Sequence, residues 1–185
     1  MGYIFDPEVL HDIARRAIGQ PKEPMFAQIR RELRQTYPGF VMETDEWIFS
    51  NAGGAMGAMQ VLHCSVTEYV IFFGTPIGTE GHTGRFAATD YFMILEGEQW
   101  AFSEGALEKE VYRPGDMHVL DRGAAQAYRM PGECWALEYA RGWIPLMLPF
   151  GLADVFSSTL DFDPLYRTMR AFTKGAVSSL MQGKL

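Results

Sequence analysis

Between Glu46 and Tyr139 the chain is written in short apolar runs with a two-residue alternation. Turn-forming clusters break them at Asn51-Ala52-Gly53-Gly54, Gly78-Thr79-Glu80-Gly81, Arg113-Pro114-Gly115-Asp116 and Pro131-Gly132-Glu133. Side chains that alternate between faces at this spacing belong to strands, and the number of runs predicts roughly eight to ten of them, closing into a barrel or sandwich. Helical patterns lie on either side. Asp6 as N-cap and Pro7 at the first helical position predict a helix through about Ile18, with Val9, Leu10, Ile13 and Ala17 as its apolar stripe. A second helix follows the Pro21 to Pro24 turn, with Phe26, Ile29 and Leu33 facing inward, and stops at Tyr37-Pro38-Gly39. Beyond Arg141-Gly142, two more helical segments run from Ile144 to about Phe156 and from about Asp163 to Gln182. The second places Leu165, Met169, Phe172, Ala176 and Leu180 along one side. The expected class is therefore α+β dominated by β, in one domain over residues 1–185: N-terminal helices in 7–36, a barrel in 46–141 and C-terminal helices in 144–182 covering its mouth.

Composition narrows the function. With 48% hydrophobic and 21% charged residues the chain is apolar enough to bury a large core or to form an apolar site. A net charge of −7, with thinly spread Lys and Arg, argues against nucleic acid as a partner. The N-terminal residues hold neither a basic region nor an apolar core of a secretory signal, and the longest apolar stretch, Trp143 to Ala153, is far shorter than the ~18 residues a spanning helix needs. The expectation is a protein in the cytoplasm or peripherally on a membrane, where the C-terminal helices would rest in the interface. Cys64 and Cys134 read as core thiols.

Several chemistries find no support. His11, His63, His82 and His118 show no HxH or HxxxH spacing, so no metal site is expected; His82 reads as a loop organiser and His63 as a core histidine. The Gly53-Gly54-Ala55-Met56-Gly57 stretch lacks the Lys-Ser or Lys-Thr of a phosphate cradle and reads as a turn. No GxSxG elbow occurs.

Two carboxylates stand out instead. Glu138 lies within Cys134-Trp135-Ala136-Leu137-Glu138-Tyr139-Ala140, too apolar a run for a surface strand, and acids are almost never buried without a reason. In a strand, Trp135, Leu137 and Tyr139 point one way while Glu138 shares its face with Cys134, Ala136 and Ala140, whose small side chains leave room beside the acid. Asp90 opens the run Asp90-Tyr91-Phe92-Met93-Ile94-Leu95 on a face with Phe92 and Ile94. The same parity groups Met59, Val61 and His63, and Tyr69, Ile71 and Phe73. Two buried acids near each other raise at least one pKa and hold a proton at neutral pH, which suits general acid/base chemistry or cation binding.

The segments Asn51 to Met59, Glu68 to Thr75, Gly78 to Gly84, Asp90 to Leu95, Gly142 to Gly151 and Phe156 to Asp161 resemble the family of fungal C-8 sterol isomerases and sigma-1 receptors, over about Ala27 to Lys174. The later segments are more similar to the isomerases. The resemblance implies a cupin-like barrel without the cupin metal, C-terminal helices at its mouth, a homotrimer and no cofactor. It implies Glu138 and Asp90 as catalytic acids, with Tyr69 bonded to the glutamate. Met59, Val61, Ile71, Phe73, Ile144, Leu148 and Phe172 would form the pocket wall. Ala55 and Met130 stand where the receptors have pocket tryptophans, and Tyr128 where they have a small valine, so these positions shape the pocket differently. Family members carry an N-terminal membrane segment for which this sequence shows no counterpart, and anchoring is not carried over. The implied activity moves a C8=C9 double bond to C7=C8 in a sterol or another polycyclic terpenoid. The alternative is a binding module for hydrophobic amines or sterols.

Overall fold

A computed structural model describes residues 2–184. Ten strands form: β1 (Ile48–Ala52), β2 (Ala55–Cys64), β3 (Glu68–Thr75), β4 (Thr79–His82), β5 (Ala88–Glu96), β6 (Gln99–Ser103), β7 (Glu110–Tyr112), β8 (Met117–Leu120), β9 (Gln126–Met130) and β10 (Cys134–Gly142). All pairings are antiparallel, and they give a six-stranded sheet in the order β1-β2-β3-β10-β5-β8 and a four-stranded sheet in the order β4-β9-β6-β7. The architecture is a pair of antiparallel sheets with helices at either end of the chain, and the expected barrel is not closed by a continuous hydrogen-bond ladder. At the seam between β2 and β4 the sheets are tied by His82 N donating to Gly53 O at 2.9 Å and Met56 N donating to the Thr79 hydroxyl at 2.8 Å, and the second of these uses a side chain where a ladder needs a backbone carbonyl.

The glycine pair is a hairpin turn, as its sequence suggests. Ala52 pairs with Ala55 across a two-residue loop whose Gly53 and Gly54 take φ of 62° and 87°, the left-handed pair that a twisted hairpin requires.

The N-terminal helices are α1 (Pro7–Ala17) and α2 (Lys22–Thr36), the first started by the Asp6 carboxylate, which accepts from Glu8 N at 2.8 Å. Their buried faces, including Leu10, Ile13, Phe26, Ile29 and Leu33, pack on the outer face of the large sheet against Leu62, Val70, Phe72, Met93, Leu137 and Tyr139. Val9 departs from the expected stripe and is exposed, while Ala14 takes its place in the core.

With helices on one face and the second sheet on the other, the central strands bury both faces, and every residue of β3 is buried. Parity therefore sorts residues between two cores. Val70, Phe72, Leu137 and Tyr139 join the helix core. Tyr69, Ile71, Phe73, Phe92, Ala136 and Ala140 join an inner core between the sheets. His63 breaks the expected grouping with Met59 and Val61. A bulge shifts the register so that Val61 faces Ile71 but His63 faces Val70, which turns His63 to the helix side beside Phe5. There its Nδ1 lies 2.7 Å from Phe40 O.

The C-terminal part is a 3-10 turn (Ile144–Leu146), α3 (Leu148–Asp154), a π turn (Val155–Thr159) and α4 (Phe162–Met181). The inward side of α4 differs from the expected apolar stripe. Pro164, Gly175 and Ser179 are its buried residues, while Met169 and Leu180 are exposed, because the helix approaches β2 closely enough for Ser179 to donate to Cys64 O at 3.0 Å.

Candidate functional site

One strand places the principal acid. In β10, Ala136 and Ala140 flank Glu138 on the inner face, and β10 lies between β3 and β5. Glu138 sits opposite Ile71 on one side and Phe92 on the other, while Ala140, one pair along, sits between Tyr69 and Asp90. Asp90 and Tyr69 are thus each a diagonal neighbour of Glu138, roughly 7–8 Å between backbones and closer between side chains. The single methyl of Ala140 leaves the space into which all three polar groups project.

That space is a cavity of about 190 Å³ between the sheets. Of the residues expected at the site, Glu138, Asp90, Tyr69, Met59, Ile71, Phe73, Tyr128, Ile144, Leu148 and Phe172 line it, and so does Ala55. Val61 and Met130 do not. Both are buried in the same inner core, behind the cavity wall. The C-terminal segment covers one end through Ile144, Met147, Leu148, Thr168 and Phe172.

The Tyr69 hydroxyl donates a hydrogen bond to Glu138 Oε1. Arg141 and Arg85 are engaged elsewhere: Arg141 lies over the Tyr91 and Tyr3 rings, and Arg85 donates to Gly123 O at 2.6 Å. Asp90 Oδ1 is buried with no hydrogen-bond partner among the described residues. Both acids keep some accessible area, yet protein encloses them, because that area opens into the cavity.

The electrostatics follow from this enclosure. Burial pushes Glu138 up to about 7, partly offset by the Tyr69 hydrogen bond, which favours the carboxylate. Burial also holds Asp90 well above the usual carboxylate range, and the neighbouring Glu138 charge adds to the rise. Tyr69 is raised well above an ordinary phenol by burial, then by the two acids. Tyr128, on β9 of the second sheet and lining the same cavity, is also raised, by burial and then by the two acids. The pair can hold one proton near neutrality and give or take it within an apolar enclosure. The two thiols take no part: burial pushes Cys64 and Cys134 each up to about 12.

Sequence reasoning did not single out several lining residues, among them Gln99, His118, Phe86 and Phe150. Phe92 shares the Asp90 face and was legible by parity. His118 was not, because β8 is only four residues long and its register against β5, Phe92 opposite His118, comes from the tertiary fold. His82 does organise its loop, accepting from Gly84 N at 2.9 Å.

The family model for ERG2 and Sigma1 receptor like protein matches residues 1–184. The chain belongs to this family. Among its relatives within the ERG2 and sigma-1 receptor-like family, the C-8 sterol isomerase erg2 of Aspergillus fumigatus is 54% identical over 98% of this chain and 78% of its own length. The C-8 sterol isomerase of Neurospora crassa is also 54% identical, over 98% of this chain and 73% of its own. The sigma non-opioid intracellular receptor 1 of Gallus gallus is 43% identical over 94% and 79%. By sequence this family member is C-8 sterol isomerase-like.

Proposed function

We propose that this protein isomerises a carbon–carbon double bond in a sterol, from C8=C9 to C7=C8, using Glu138 and Asp90. The observation that carries the reading is the acid pair itself, two carboxyl groups on diagonal strand positions of one apolar cavity, both with raised pKa. The reaction adds a proton at C9, which leaves a tertiary cation at C8, and removes a proton from C7 to form the new double bond. Protons and electrons balance, so the two acids suffice. The protonated carboxyl is the general acid, and the ionised one is the base and the counter-charge for the cation. Tyr69 orients Glu138. Phe73 and Phe92, packed with ring centroids 6.3 Å apart on the cavity wall, help exclude the water that would trap the cation.

Purified protein incubated with a Δ8 sterol such as zymosterol is expected to give an isomer of unchanged mass. Glu138→Gln and Asp90→Asn are each expected to abolish the conversion, and full turnover in either variant would sink the proposal.

A second reading is favoured by the cavity lining, which among the described residues holds the two acids and no Lys or Arg, so the negative charge of the singly protonated pair has no basic partner there. Such a pair attracts a protonated hydrophobic amine. An enzyme would show turnover and amine inhibition, whereas a binding module would show amine binding alone. The proposal extends to assembly as a homotrimer and to peripheral membrane contact through the C-terminal helices, supported by exposed Leu146, Phe156, Leu160, Phe162 and Tyr166. Light scattering and liposome flotation test these two parts separately.

A further inference from the structure

Away from the acids, the apolar cavity carries a second polar feature. His118 and Gln99, only 4% and 3% exposed, both line it. Glu138, Phe92 and His118 stand opposite one another in a single row across β10, β5 and β8. Two strand spacings, about 10 Å, therefore separate the glutamate from the histidine, with the Phe92 ring between.

The hydrogen bonds of His118 fix what this polar end presents. Its Nε2 lies 2.7 Å from Gln126 Oε1 and its Nδ1 lies 3.0 Å from Gln99 Oε1. The Gln126 amide is oriented by Glu110, whose Oε2 lies 3.5 Å from the amide nitrogen and accepts only, while the Ser103 hydroxyl accepts from the same nitrogen at 3.0 Å. The Nε2 hydrogen is thus committed to Gln126. The ring is almost wholly buried and stacked on Tyr112 at 4.4 Å, an enclosure that favours the neutral imidazole, and in that form Nδ1 is an acceptor. An acceptor cannot face a carbonyl oxygen. The Gln99 amide, whose nitrogen has no partner among the described residues, satisfies Nδ1 by presenting its NH2 there, and its carbonyl then faces the cavity as a free acceptor.

We propose that the Gln99 carbonyl, oriented by His118, accepts a hydrogen bond from an alcohol at one end of the ligand while the acids address its double bond. This rests on the sterol reading above and deepens it: the ligand is a fused-ring alcohol, recognised through the O–H as a donor. Gln99 binds, and His118 with Gln126 positions it. Neither touches the reacting carbons.

The experiment is binding, which does not require turnover. Dissociation constants are measured for zymosterol, its 3-deoxy analogue and its 3-ketone, delivered from cyclodextrin, against the wild-type protein and Gln99→Met. The wild type is expected to bind the alcohol about tenfold more tightly than either analogue, the worth of one buried hydrogen bond left unmade. Gln99→Met is expected to level the three. Equal affinities in the wild type, a ketone bound as tightly as the alcohol, or a preference that survives in Gln99→Met each overturn the proposal. The wild-type comparison decides the matter even if the variant fails to fold. An alcohol preference without any isomerised product would count against the isomerase reading and leave this recognition standing.

Discussion

Glu138 makes the folded protein sensitive to pH in a direction opposite to that of most carboxylates. Its folded pKa of about 7 lies above its ordinary value of 4.5, so the folded state favours the protonated acid. The stability this contributes is fully present below about pH 4.5 and is lost as pH rises through 7. The difference in unfolding free energy between the wild type and Glu138→Gln should therefore fall across that window, on the order of 2 kcal/mol after allowance for the area open to the cavity. Urea denaturation at pH 5 and pH 8 measures it. Tyr69→Phe acts on the same group with opposite sign to the hydrogen bond it removes. Without that donor the carboxylate is less favoured, and the Glu138 titration, followed by 13C NMR of its carboxyl, should move above 7. These acids were legible in the sequence because a carboxylate in an apolar strand is conspicuous. Gln99 and His118 were not, since a glutamine or a short-strand histidine takes its meaning only from what the fold sets beside it.

At the scale of elements, β3 and β10 each serve two cores, and the cost of errors differs between their faces. Phe72 is fully buried against Phe26 and the helices, so Phe72→Ala should destabilise by about 3–5 kcal/mol in thermal or urea unfolding while leaving the cavity wall in place. The contact of α4 is different in kind. A Cβ at Gly175 would come within 3.1 Å of Cys64 Cβ and 3.2 Å of its backbone. Gly175→Ala gains about 1 kcal/mol of helix propensity against that squeeze, whereas Gly175→Val should lose by overpacking, about 1–3 kcal/mol. Faster amide exchange along α4 in the valine variant would show the helix lifting from β2. Alternation in the sequence showed which residues share a face, and both central strands kept it. It could not show the bulge that turns His63 outward, because one extra residue in a strand leaves no mark in composition. Nor could it show that α4 docks through small residues, since an apolar stripe and a close backbone approach compete for the same face.

On the scale of the whole molecule, Glu68 joins distant parts of the chain. It is fully buried, accepts from Ile4 N at 2.8 Å and from the Tyr139 hydroxyl at 2.9 Å, and pairs with Lys184 at 2.9 Å. Removing one partner leaves a buried charge, so Lys184→Met should destabilise by about 3–5 kcal/mol, read as a lowered Tm. The double-sheet class was legible from the spacing of turns. The open seam was not, because closure depends on backbone bonds between strands remote in sequence. The two walls of the cavity also differ in what stands behind them. The acid-bearing sheet is backed by α1 and α2, whereas on the second sheet Glu80, Phe102 and Arg129 face outward and are exposed. A substitution in the first wall disturbs two packed layers, while one in the second, at Tyr128 for example, is cushioned by solvent at its back. New ligand preferences should arise by drift in that tolerant wall, so a lineage could change what it accepts while the chemistry opposite remains untouched.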